Sequence, residues 1–347
     1  MKRWGVGLMT ALGLAALPAV ASARTQVVYG GGSPAFAQQL IQKGGEALAY
    51  FPSTVKIHAG DSIAWLGLGP GFHDVDIVAK GGALPLILPT ANTTGLVADA
   101  AGNPFWFATK VPILGFNPVL LGPSGGHKFK GTGRVDSGLP LGPPKPFVVK
   151  FTKAGRFNYF CDVHPGMKGK VVVLPKGKAA PSRAQIAAQV ATQQAADAAE
   201  AKTLLKTKIT GDVVSMGVHG TGGVEILGFF QGVKHIKAGT TITFEMGAGS
   251  FETHTATFGP DSYLSPLAKS FTSPAVDSRA AYPSSPPGTP ISLDPAAHGN
   301  GFANTGAMQG VKGSPLPALN KITFTQKGTY KFECLIHEFM KGVVVVS

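Results

Sequence analysis

The feature that most constrains this chain is a stretch written twice, FNYFCDVHPGMKGKVVVL from Phe157 to Leu174 and YKFECLIHEFMKGVVVVS from Tyr330 to Ser347. Each copy reads Cys, two residues, His, two residues, Met, and then a Val-rich run that fits a final buried strand. Cys161, His164 and Met167 in the first copy, and Cys334, His337 and Met340 in the second, offer thiolate, imidazole and thioether from one short loop. That soft donor set suits copper. Zinc fits it less well, because structural zinc takes further Cys or His and Met is a poor zinc ligand.

A second echo supplies a fourth donor to each copy. Ile57, Ala59-Gly60, Ile63 and Trp65 match Ile236, Ala238-Gly239, Ile242 and Phe244 at one constant offset. Alternating apolar and polar residues around the Ala-Gly turn predict two strands, with a third opening at a histidine. That histidine is His73 in GFHDVDIV and His254 in THTATF, and the interval before it is two residues longer in the second copy. A lone His at a strand edge is ordinarily a solvated residue. Its pairing with a later Cys-His-Met loop in both copies marks it as a ligand. The same comparison sets aside His58, His127, His219, His235 and His298, none of which keeps its position between the copies.

The chain has 347 residues, enough for two domains with cores of their own. Charged residues are only 14%, against 47 Gly and 27 Pro, a composition that favours strands joined by long irregular connections. The expected fold is therefore all-β, two tandem sandwiches: residues 24–175, an Ala/Gln-rich helical linker over 176–208 that begins near Pro181-Ser182, and residues 209–347. Arg24–Tyr29 reads as an edge strand and Pro34–Lys43 as a helical turn or two. Long Pro- and Gly-rich connections precede each Cys and suit a covering role.

Residues 1–23 have a basic start (Lys2, Arg3), an apolar middle and an Ala-Ser-Ala end, the pattern of a secretory signal. The expected location is the periplasm, cell envelope or exterior, with no membrane-spanning segment after cleavage. Two cysteines in an exported chain invite a disulfide. Here each sits in its own equivalent loop, which argues against a bridge. The formal charge of +13 implies acidic partners. Lysines are scattered and aromatics do not interleave with them, so nucleic acid is not the expected partner.

With these residues in place, each half resembles a cupredoxin of the plastocyanin, pseudoazurin and amicyanin kind, and the short Cys-x-x-His-x-x-Met loop most resembles that of amicyanin. The resemblance is specific at His73, Cys161, His164, Met167 and at His254, Cys334, His337, Met340. It implies Greek-key sandwiches, one type 1 copper cycling between Cu(I) and Cu(II) in each, and electron transfer between redox partner proteins. In that family the loop histidine is commonly the solvent-side port for electrons, here His164 and His337. A copper carrier or storage protein would use the same donors. Two-domain relatives of the oxidase and nitrite reductase kind need further histidines, including His-x-His pairs, and this chain has none. An electron carrier and not an enzyme is the expectation. The loops are unequal, because Pro165-Gly166 in the first becomes Glu338-Phe339 in the second.

Overall fold

A computed structural model describes residues 23–347 apart from Pro70, 93–95, Pro144 and Lys176; the expected signal segment lies outside these residues except for Ala23. The fold is all-β in its main mass. In the first half, one sheet runs Tyr50–Phe51, Thr25–Gly30, Ser62–Leu66, Phe147–Phe151, Lys128–Phe129, and faces another running Arg134–Asp136, Asp76–Val78, Gly155–Phe160, Lys168–Leu174, Thr54–His58. The second half repeats this pairing of sheets: Thr241–Met246 pairs with Leu319–Phe324, and Gly328–Glu333 lies between Lys341–Val346 and Thr257–Phe258.

Period-2 patterning explains these strands. Phe147–Phe151 and Thr54–His58 alternate buried and accessible residues, so each puts one face into the core between the sheets. The repeat extends into that core. Trp65 meets Tyr159 edge to face at 5.3 Å, and the equivalent Phe244 meets Phe332 the same way at 5.4 Å. Truncating any of these rings to Ala would cost roughly 3–5 kcal/mol, because each is buried among side chains that cannot close the gap. Thr25–Gly30 is not an edge strand as expected: it runs parallel to Ser62–Leu66 and is covered on its other side by Tyr50–Phe51.

The helix Arg183–Leu204 begins where Ser182 predicts. Ser182 Oγ accepts from the Gln185 N–H, while Gln185 Oε1 accepts from the Ser182 N–H, which satisfies two otherwise unpaired donors at once. This linker helix packs into both halves. Ile186 joins the core of the first half, and Gln193 hydrogen-bonds both Ser53 and Tyr50 there. Eight residues further on, Ala201 packs with Val218, Val224 and Ile226 of the second half, and Glu200 accepts from the Thr221 and Gly222 N–H groups.

Strands also cross between the halves. Gly45–Ala47 adds to Val224–Phe230, and Ala275–Val276 adds to Pro112–Phe116, which itself pairs with Ile87–Asn92. The long connections before each Cys pack on one another, with Phe105, Phe107, Leu264 and Phe302 in one apolar cluster. Trp106 Nε1–H donates to the Pro283 carbonyl and Tyr282 O–H to the Pro112 carbonyl. Their covering role is thus a clamp, and it fixes the orientation of one Cys-His-Met loop against the other.

Two candidate metal centres

In the first half Cys161 directly follows the strand Gly155–Phe160 and Met167 directly precedes Lys168–Leu174. Two hydrogen bonds close the loop between them, Cys161 N–H to the Met167 carbonyl at 3.0 Å and Met167 N–H to the His164 carbonyl at 2.9 Å. The second loop closes identically, Cys334 N–H to Met340 at 3.1 Å and Met340 N–H to His337 at 2.8 Å. Antiparallel strands on either side thus hold each donor trio before any ion enters. Both cysteines are free.

The remote histidines arrive where the repeat places them. His73 Nδ1 lies 3.2 Å from His164 Nδ1, which lies 3.3 Å from Cys161 Sγ. His254 Nδ1 lies 3.0 Å from His337 Nδ1, and both are 3.8 Å from Cys334 Sγ. Each trio falls within 4.8 Å, and Met167 and Met340 are 1% and 2% exposed at the ends of the same loops. Two imidazole Nδ1 atoms this close share one proton or one cation. Donors at about 2.0–2.3 Å from a common ion stand about 3–4 Å apart, so both constellations fit a single bound metal. Glycines make room for the remote rings. A Cβ on Gly71 would sit 2.4 Å from His73 Nε2, and in each half a left-handed glycine, Gly31 (φ 73°) or Gly217 (φ 80°), lies against the same nitrogen.

The two centres carry different electrostatics. Burial, then the Asp74 charge, push the Cys161 thiol well up, and burial followed by the His164 charge pushes His73 well down. At the second centre burial works in the same direction but loses: hydrogen bonds from His254 and His337, with their charge, hold the Cys334 thiol well below its usual range. His337 is carried up to about 9, its burial outweighed by Cys334 and then Glu252.

The other histidines stay outside both clusters. His58 Nε2 contacts the Lys178 carbonyl at 2.6 Å, His127 Nδ1 the Val148 carbonyl at 2.9 Å, and His298 pairs with Asp99 at 3.2 Å. His235 is exposed, and His219 pairs with Glu225 at 3.2 Å.

One residue at these clusters escaped the sequence reading. Glu252, 5% exposed, places Oε1 3.0 Å from His164 Nε2 and Oε2 3.6 Å from His337 Nε2. His164 is itself 4% exposed, so its outer nitrogen meets a carboxylate of the second half where the resemblance led us to expect solvent. Despite burial, the His164 charge and hydrogen bond hold Glu252 well below the usual carboxylate range, and burial with the neighbouring Glu252 pushes Glu46 well above it. A carboxylate oxygen of Glu46 lies within 4.8 Å of one of Glu252. The available signal was the two-residue excess before His254, since that interval contains Glu252 and the first copy has nothing like it. Two further groups bring donor atoms within 4.8 Å of one another, Glu46 with Glu252 and His337, and Asp74 with Asp136 and Asp162.

No protein-family model matches the chain, and no curated protein does. Among solved structures, the chain is similar to a reduced-state variant of amicyanin at 18% identity, over 39% of this chain and 80% of that one, with a TM-score of 0.22. An oxidised amicyanin variant gives 17% identity over 41% and 87%, with a TM-score of 0.23. Those scores are too low to argue from, and the reading below stands on the residues.

Proposed function

We propose that this chain is an exported electron-transfer protein with two mononuclear copper sites, held by His73, Cys161, His164 and Met167 in residues 24–175 and by His254, Cys334, His337 and Met340 in residues 209–347. The observation that carries it is the convergence, in both copies, of one Cys Sγ and two His Nδ1 atoms at a loop that ends in a buried Met. A thiolate and two imidazoles with a weak thioether accommodate both oxidation states of copper, which supplies a one-electron couple when bound. The protein's part is to hold these donors still. Cys161 and Cys334 are 0% exposed, loop hydrogen bonds fix their backbones, and tight glycine contacts fix the remote rings. Little rearrangement on a change of charge means fast electron transfer. Burial also disfavours the carrier or storage alternative, in which metal must exchange with solvent.

The segment 1–23 would export the chain, and its positive charge would favour acidic redox partners. Purified protein given Cu(II) and oxidised should bind two coppers per chain and show intense thiolate-to-Cu(II) absorption near about 600 nm. Colourless protein at full copper occupancy would sink the electron-transfer reading.

A further inference from the structure

The two loop histidines point their outer nitrogens at one carboxylate. His164 Nε2 stands 3.0 Å from Glu252 Oε1, and His337 Nε2 stands 3.6 Å from Glu252 Oε2, so a single side chain touches a ligand of each centre. Nδ1 of both rings faces the metal position, which leaves the proton of a neutral imidazole on Nε2, aimed at a Glu252 oxygen: within hydrogen-bond reach from His164 at 3.0 Å, and as a longer contact from His337 at 3.6 Å. Neither distance is accidental to one side chain's rotamer. Thr253 N–H donates to Glu252 Oε2 at 3.3 Å, and Glu252 N–H donates to Ser250 Oγ at 3.2 Å. The first loop is pressed onto this turn, because Gly166 lies so close to the Phe251 ring that a Cβ there would sit 2.2 Å from it. Glu252 also lies two residues before His254, so the backbone that delivers the bridge delivers a ligand.

Resting on the copper reading above, we propose that Glu252 joins the two centres into one relay. Electrons pass between them within the chain along His164, the Glu252 carboxylate and His337. With copper bound, His73, Cys161, His164 and Met167 would hold one one-electron couple and His254, Cys334, His337 and Met340 the other, so that each passage would oxidise one centre by one electron and reduce the other by one. One electron moves, the two Nε2–H protons stay in place, and no further reagent is consumed. His164 is then an internal contact. Exchange with outside partners falls to the second loop, where Phe339 is 64% exposed with its ring 6.0 Å from that of His337.

Two measurements on the copper-loaded full chain test this. In the diamagnetic Cu(I) form, proton NMR should show the His164 and His337 Nε2–H signals slow to exchange with water. Glu252→Gln should shift both, because an amide offers one acceptor oxygen and turns its NH2 toward the other N–H. Rapid exchange of either signal, or indifference of both to the substitution, overturns the bridge. For the electron itself, a Met340→Gln background sets the second band apart through its axial donor, and pulse radiolysis adds less than one electron per chain. Redistribution between the bands should be first order and independent of protein concentration. With Glu252→Ala it should slow roughly tenfold or more while both bands persist. An unchanged rate, or one that scales with concentration, overturns the relay. Parent protein without blue bands would refute copper electron transfer itself, and the NMR signals would still decide the bridge.

Discussion

The layers behind the two candidate metal centres are built on the same backbone from opposite chemistry. In the first half the residue after the remote His is Asp74, whose Oδ1 accepts from the Asp162 N–H at 2.7 Å; in the second it is Thr255, whose Oγ1 accepts from the Leu335 N–H at 2.9 Å. One strand pair further, Asp136 stands opposite Asp76, where the second half sets Asn304 opposite Thr257. The Thr255, Thr257 and Asn304 side chains satisfy one another at 2.8–2.9 Å, and Asn304 Nδ2 donates to backbone carbonyls. Among the described residues, Asp74, Asp136 and Asp162 each keep a buried oxygen with no partner. The layer directly behind the first centre is thus built of buried carboxylates and that behind the second of a neutral, closed network, while the Glu252 carboxylate stands between the loop histidines of both. The repeat conserves donors and hydrogen-bond positions while leaving the local field free to differ.

The largest test of this pairing is deletion of one thiolate at a time. Cys161→Ser and Cys334→Ser should each abolish the absorption of their own centre and leave about half of the total, since sulfur is the charge-transfer donor. A variant that loses all colour would show that the centres do not assemble independently. Next in size is an exchange between loops. Gly166 has φ 129° and faces the Phe251 ring, so Gly166→Phe should lower stability by roughly 3 kcal/mol or more through strain and overlap. At the matching position Phe339 is exposed, and Phe339→Gly should change it by about 0.5 kcal/mol or less. Thermal unfolding of both proteins separates the covered loop from the open one; equal losses would remove the distinction.

The carboxylate layer should show in the potentials. A negative charge near the first centre favours its more positive oxidised state, so the first midpoint should lie below the second. A unit charge several ångströms away at an effective dielectric of about 20 is worth roughly 2 kcal/mol, on the order of 50–100 mV for one electron. Asp74→Asn should raise the first midpoint by that amount and leave the second in place. Spectroelectrochemistry reads both. A single wave unmoved by the substitution would mean that the two layers are electrostatically equivalent.

What the sequence disclosed and what it withheld divide along a physical line. The strands flanking each Ala-Gly turn, the Val-rich final strands and the convergence of one Cys with two His in each copy were legible, because period-2 patterning and ligand chemistry are local and the repeat supplies its own control. The placement of Glu252 between His164 and His337 was not, because it depends on how the halves dock. Gly45–Ala47 has little β-propensity of its own and becomes a strand only by adding to Val224–Phe230. The helix Arg183–Leu204 likewise looked like a spacer because its contacts are single residues, Ile186, Gln193, Glu200 and Ala201, and not a continuous apolar stripe.

The smallest expected effect is the dependence of stability on pH, and it too separates the halves. Asp136 is 0% exposed, and burial raises its pKa to about 6, with the Gly138 N–H and Arg134 opposing and the Asp162 charge adding to the rise. Because the folded pKa lies above the unfolded value near 3.8, the folded chain binds this proton more tightly. The stability it contributes is complete below about pH 4 and is lost as pH rises toward about 6, above which the group costs a constant amount. Asp136→Asn keeps the acceptor for the Gly138 N–H at 2.7 Å and removes the charge. At pH 8 the variant should therefore be more stable than the parent by on the order of 1–2 kcal/mol, an advantage that shrinks to a constant offset below about pH 4. Thr257→Val, at the neutral layer of the second half, should lower stability by a similar amount at every pH, since it breaks hydrogen bonds and changes no charge. Unfolding curves of both variants from acid to pH 8 read the difference, and parallel pH profiles for the two would mean that the buried carboxylates of the first half do not titrate with folding.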